Sequence, residues 1–189
     1  NDALKGLLFY SRKEASDFGW DWGIRLLSCG IWKSIRLTAF DAGRINQLGV
    51  IQDLHNSDEA LLFVEAEAET YKDGNYSIEF EVRYEDSLIY STKTLLNSGI
   101  ATDTLRIENP KLWWPNGMGD HPLYIVKAVL KNGETQIHTR HIRIGLRTIE
   151  IAQEKDESGE TFGIKVNGKL IFSKGANWIP ADAMTGKLT

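Results

Sequence analysis

The sequence predicts an all-β protein built around an antiparallel sandwich, with further partial elements at either end. Three observations lead there. Apolar and polar residues alternate with a period of two over much of the chain, turn residues punctuate the alternation, and no stretch carries the apolar stripe of a helix. The clearest run is "YSIEFEVRYE" at 76–85, where Tyr76, Ile78, Phe80, Val82 and Tyr84 share one face. Ser77, Glu79, Glu81, Arg83 and Glu85 share the other. A strand written this way buries one face and wets the other, as antiparallel sheets do.

Taken in order, "SRKE" at 11–14 has the form of a capping box, but no apolar stripe follows, so one helical turn is expected at most. Residues 31–40, "IWKSIRLTAF", read as a strand, and Cys29 beside it reads as a buried, reduced thiol. Further strands are expected near 45–54, 61–70, 76–84, 102–107, 123–131 and 136–144. "VEAEAE" at 64–69 sets Val64, Ala66 and Ala68 against three glutamates. "KDGN" at 72–75 joins two strands, and Asn132-Gly133 is expected to form a two-residue type I′ hairpin. A short hairpin is expected around Asn167-Gly168. Seven or so short strands between about 42 and 148, with turns about every 8–12 residues, fit an immunoglobulin-like antiparallel β-sandwich. The Cys…Trp…Cys hallmark of antibody domains is absent, so only the sandwich is claimed.

Composition narrows the function classes. The chain has 189 residues, 42 % hydrophobic and 25 % charged, as an ordinary globular protein does. Its net charge of −4 is uneven: residues 41–100 hold four Lys/Arg against twelve Asp/Glu, a balance of −8. Nucleic-acid binding would need a basic stripe, and this is the opposite. No apolar run reaches the ~20 residues that span a bilayer. One cysteine rules out an internal disulfide framework. His138 and His141 stand three apart on a strand, point to opposite faces and cannot chelate one metal together. No metal site or cofactor is expected.

Three constellations could carry chemistry. "FGWDWG" at 18–23 sets Asp21 between Trp20 and Trp22 with glycines on both sides. It reads either as a loop whose tryptophans fill gaps while Asp21 caps a turn, or as a sugar site. A sugar presents a C–H face to an aromatic ring and a hydroxyl pair to a carboxylate. "GANWIPAD" at 175–182 places Asn177 and Trp178 side by side after the apolar strand "KLIF", as a turn with Trp178 buried or as polar and aromatic groups at a strand's carboxyl end. "PKLWWPNGMGDHPLY" at 110–124 reads as a loop that anchors its neighbours through Trp113 and Trp114. A glycosidase needs two carboxylates, about 5–5.5 Å or 6.5–9.5 Å apart. Asp21 and Asp182 are possible acids, but no glutamate stands in a catalytic context.

Together "FGWDWG", "GIWKSIRL", "NPKLWWPNGMGDHPLY", "RIGLRTIEI" and "FGIKVNGKLIFSKGANWIPAD" resemble, in order and over nearly the whole chain, the β-mannosidases of glycoside hydrolase family two. The resemblance implies three pieces: 1–40 the end of a jelly-roll sugar-binding domain, 41–148 the sandwich, and 149–189 the start of a (β/α)₈ catalytic barrel. It implies that Asp21 binds hydroxyls of a terminal mannose, with Asn177 and Trp178 lining the same subsite. Trp20 and Trp22 flank it, either one facing the sugar. The parent enzyme would release terminal β-D-mannose from non-reducing ends by a retaining, two-carboxylate mechanism. Both glutamates of that mechanism are expected beyond Thr189, so this segment is expected to be inactive alone. Its partners would be a β-mannoside and the remaining domains of the same chain, with no nucleic acid or membrane. Other readings are a stand-alone carbohydrate-binding sandwich, with Trp113 and Trp114 as its platform, and a purely structural one.

Overall fold

The computed structural model describes residues 10, 12–19, 23–27, 29–31, 33–54, 58–178 and 181–182. The chain divides into two compact units, Asn1–Thr38 with Lys174–Thr189, and Ala39–Ser173.

The second unit is the sandwich. Seven long strands follow in chain order: β1 (Gly43–Asp53), β2 (Glu59–Thr70), β3 (Tyr76–Tyr84), β4 (Ser87–Leu95), β5 (Ile100–Glu108), β6 (Tyr124–Asn132) and β7 (Thr135–Ile144). They form two antiparallel sheets, one ordered β1-β2-β5 and the other β4-β3-β6-β7. The inward faces are the ones the alternation marks. Ile78, Phe80 and Val82 of β3 meet Leu62, Val64 and Ala66 of β2 in one core, with Leu105, Ile107, Val126 and Leu130. Removing each large side chain from water is worth about 1.5–3 kcal/mol, so the core holds the two sheets face to face.

Bulges tune which residues face in. Ile45 and Leu48 are three apart, yet both are buried, because the β1–β2 register shifts between Ile45 and Gln47. The bulge turns the Asn46 carbonyl outward, where Arg140 Nη1 donates to it at 2.5 Å. At the neighbouring residue the Ile45 N–H donates to His138 Nδ1 at 3.1 Å. These two bonds close the β1–β7 side of the sandwich. On the other side, β4 meets β5 through Asp103, whose Oδ2 accepts from Thr92 (3.0 Å) and Thr94 (2.8 Å).

A further, smaller sheet follows the two of the sandwich: β8 (Ile149–Ala152), β11 (Gly163–Val166) and β12 (Lys169–Ile171), in the order β12-β11-β8. Between β8 and β11 a short hairpin pairs β9 (Lys155–Asp156) with β10 (Gly159–Glu160). The expected hairpin at Asn167-Gly168 joins β11 to β12, with φ of +49° and +74°, as a type I′ turn requires.

Three expectations are corrected. Residues 33–40 form no strand, and Ile35 and Leu37 are exposed. Alternation becomes a strand only when a neighbour completes the ladder, and no described strand lies beside it. Cys29 is exposed, with no described strand formed by its own segment. The hairpin after β6 uses Gly133-Glu134, not Asn132-Gly133: Asn132 pairs with Thr135 as a strand residue, and only Gly133 has positive φ (+58°). Glycine at the first loop position suits a type II′ turn. Asn132 is held in the ladder end by its side chain, whose Oδ1 accepts the Asn75 N–H at 3.1 Å.

Candidate functional site

The approach to "FGWDWG" is a single 3-10 turn, Ala15–Phe18, no more than the one turn expected there. Asp17 in this turn is buried, its N–H donates to the Glu14 carbonyl at 3.2 Å, and Lys13 reaches its carboxylate at 3.6 Å. Gly19 then bends the chain with φ +102°, a conformation that a side chain would strain. Trp20, Asp21 and Trp22 lie outside the described residues.

After β12 the chain runs without regular structure through Asn177 and Trp178. Both are exposed, Trp178 to 86 %, so the alternative of a turn with this indole buried does not hold. Asp182 is half-buried. The segments bearing the two motifs, 1–38 and 174–189, belong to one compact unit.

The third motif is a built junction inside the sandwich unit. Leu112 bridges Leu146 in parallel, and the Trp113 N–H donates to the Leu146 carbonyl at 2.9 Å. Trp113 packs where Gly145 leaves room, edge-on to His121 (5.8 Å) and beneath the Arg147 guanidinium (4.9 Å). Trp114 fills the space over Gly119, with Lys169 Nζ above its ring at 5.0 Å. Asn167 ties this loop to the small sheet: its Oδ1 accepts the Thr148 N–H at 3.0 Å, and its Nδ2 donates to the Trp113 carbonyl at 3.0 Å. Both indoles are half-buried and covered by cations, which suits an anchor and not an open sugar platform.

Electrostatics in the sandwich serve the fold. Asp103 is raised by burial, but the bonds from Thr94, the Thr104 N–H and Thr92 together pull its carboxyl below the ordinary value. Burial, helped by Arg140 and Arg44, holds His138 below its usual value. Lys131 lowers Glu79 across β3 and β6. Among the described residues, no three His, Cys, Asp or Glu side chains gather as metal ligands. Sequence reasoning missed one feature with site-like chemistry, a groove on the outer face of the β1-β2-β5 sheet. Its only signal was Phe63, an aromatic residue in line with the outward glutamates of β2.

The family described as glycosyl hydrolases family 2 matches residues 43–147, and glycosyl hydrolase 2 galactose-binding domain-like matches 5–33. Beta-mannosidase B of Emericella nidulans is 35 % identical over 94 % of this chain and 21 % of the relative. Beta-mannosidase B of Aspergillus oryzae is 33 % identical with the same coverage. The chain thus spans about a fifth of the length of the curated relatives it matches. Among solved structures, a β-D-mannosidase from Dictyoglomus thermophilum superposes with a TM-score of 0.83 at 32 % identity, covering 94 % of this chain and 22 % of that one. An exo-chitosanase from Amycolatopsis orientalis gives 0.57 at 25 % identity, over 75 % of this chain and 17 % of that one.

Proposed function

Because this chain belongs to the glycosyl hydrolases of family 2, we propose that it is the non-catalytic segment of a β-mannosidase that releases terminal β-D-mannose from non-reducing ends. The observation that carries this reading is the likeness, over 94 % of the chain, to proteins named β-mannosidases, both in sequence and in structure. In this reading 1–40 closes a sugar-binding domain, 41–148 is the sandwich and 149–189 leads into a barrel.

The chemistry assigned to each residue follows from its type. Asp21 accepts two hydroxyl hydrogens of the sugar in charge-assisted bonds. An indole, Trp20 or Trp22, covers a C–H face beside it. Asn177 and Trp178 supply an amide and a second ring. The bend at Gly19 and the exposed position of Trp178 support this arrangement. The retaining mechanism itself needs two further carboxylates, one as nucleophile and one as acid and then base. We assign neither to this segment.

The deciding experiment is hydrolysis of an aryl β-mannoside by the full-length enzyme, wild type beside Asp21→Ala. A loss of about 10²-fold in kcat/KM, or roughly 2.7 kcal/mol of transition-state stabilisation, is expected. Activity near that of wild type would remove Asp21 from the sugar site. Turnover by the pure 189-residue chain would overturn its non-catalytic assignment.

A further inference from the structure

Gly49 sits in the middle of β1 without a cause inside the fold. It is not at a turn, its φ is not positive, and a Cβ built on it would meet only the Glu65 carbonyl, at 4.0 Å. A glycine in a strand interior weakens the strand, and where nothing internal demands it, it marks a place that an outside group approaches closely. The register shows what surrounds it. Gly49, Glu65 and Thr102 form one cross-strand row, and Ile51, Phe63 and Thr104 form the next. Together with Gln47 they line a groove of about 720 Å³ on the outer face of the β1-β2-β5 sheet. Ile51 is 72 % and Phe63 43 % exposed, so an apolar row lies open beside a polar row with a gap in it.

We propose that this groove binds a neutral oligosaccharide, one sugar ring lying on Phe63 and its neighbour settling over Gly49. The lining has the mixture a glycan needs: an aromatic ring for a C–H face, the Glu65 carboxylate and Gln47 amide for hydroxyl pairs, and the Thr102 and Thr104 hydroxyls. The groove is large enough for a small-molecule ligand. Charge selects the class. Glu65, Glu67 and Glu69 project from the same face of β2, so a uronate, sulfate or phosphate would meet repulsion. A neutral sugar, whose hydroxyls both donate and accept, meets the Glu65 carboxylate as an acceptor and the Gln47 amide and threonine hydroxyls as both. The groove's described lining comes from β1, β2 and β5 and includes none of the residues assigned above to the terminal mannose. Only the choice of a mannan-type probe rests on that reading.

The test is an amide NMR titration of the chain with β-linked mannohexaose, with cellohexaose and an oligogalacturonate alongside. Shifts confined to residues around Gly49, Phe63, Thr102 and Thr104 are expected with a neutral hexasaccharide, and none with the uronate. Phe63→Ala should weaken binding about tenfold. Gly49→Val fills the gap with a residue that favours strands, and should abolish binding while the chain stays folded. Binding of cellohexaose but not mannohexaose would support the groove and count against the mannoside reading of the parent. The proposal is overturned if no neutral glycan moves these amides, if both variants bind as wild type does, or if the uronate binds equally well. Shifts that follow protein concentration without sugar would also overturn it, since a second copy would then be the occupant.

Discussion

The Ile45 N–H donates to Nδ1 of His138 at 3.1 Å, so one side of the sandwich is closed through a ring nitrogen that must stay unprotonated. Phe40 stands edge-on to the ring at 5.3 Å, and the charged groups acting on it, Arg140 on its own strand and Arg44 on β1, are both cationic. Burial first, then these two charges, hold its pKa below the ordinary value, so the unfolded chain binds the proton more readily. The stabilisation is therefore complete above about pH 6.5 and is lost as pH falls toward the folded pKa. Urea unfolding should show stability falling as pH drops through that window, and a flat profile there would mean the ring is not held neutral. His138→Asn keeps an acceptor near the same point without the titration, and should flatten this part of the profile.

On the opposite side, Asp103 binds Thr92 and Thr94 across the gap between the sheets. Asp103→Ala should cost about 1–3 kcal/mol, because two hydroxyls lose their acceptor. A double-mutant cycle with Thr94→Val should show coupling of about 0.5 kcal/mol or more, and strict additivity would mean the pair is not a link. Since the folded carboxyl is depressed, this contribution is present above the ordinary pKa of about 3.9 and disappears as pH falls through the folded value.

Gly145→Ala places a methyl group 2.8 Å from Trp113 Cγ. An indole held by Leu146, His121 and Arg147 has little room to retreat. Destabilisation of about 1–3 kcal/mol is expected, read by thermal melting with a change in tryptophan fluorescence. A melting temperature equal to wild type would show that the junction can slide.

Asn167 combines a left-handed backbone (φ +49°) with the two bonds that join Thr148 to Trp113. Asn167→Gly keeps the backbone and loses the bonds. Asn167→Ala loses both, and should be the less stable of the two by about 1 kcal/mol. Equal melting temperatures would mean the turn carries no strain in alanine.

The strand pattern was legible because one buried face imposes a period of two. Ile78, Phe80 and Val82 on β3, and Val64 and Ala66 on β2, could be placed inside by position alone. β4 was not legible: Leu88 and Ile89 are adjacent and both exposed, so "SLIYSTKTL" breaks the alternation. Its hairpin to β3 turns on Glu85 at φ +52°, with no glycine or asparagine to announce it. Of the candidate site, the residue types in "FGWDWG" and "GANWIPAD" were visible in the sequence. The groove at Gly49 was not, because it needs three strands in register.

The sequence by itself determined which residues of each strand face inward, since alternation is a property of a single strand and its solvent. Only the tertiary structure decided which strands are neighbours. "KDGN" joins strands of different sheets, Asp103 meets Thr92 and Thr94 from the other sheet, and Ile45 finds His138 across the far side. The run at 31–40 alternates as well as any, and its described residues 33–40 still form no strand. A face can be written in one segment, but a ladder needs hydrogen-bonding partners from another, and those are supplied only when the chain is folded.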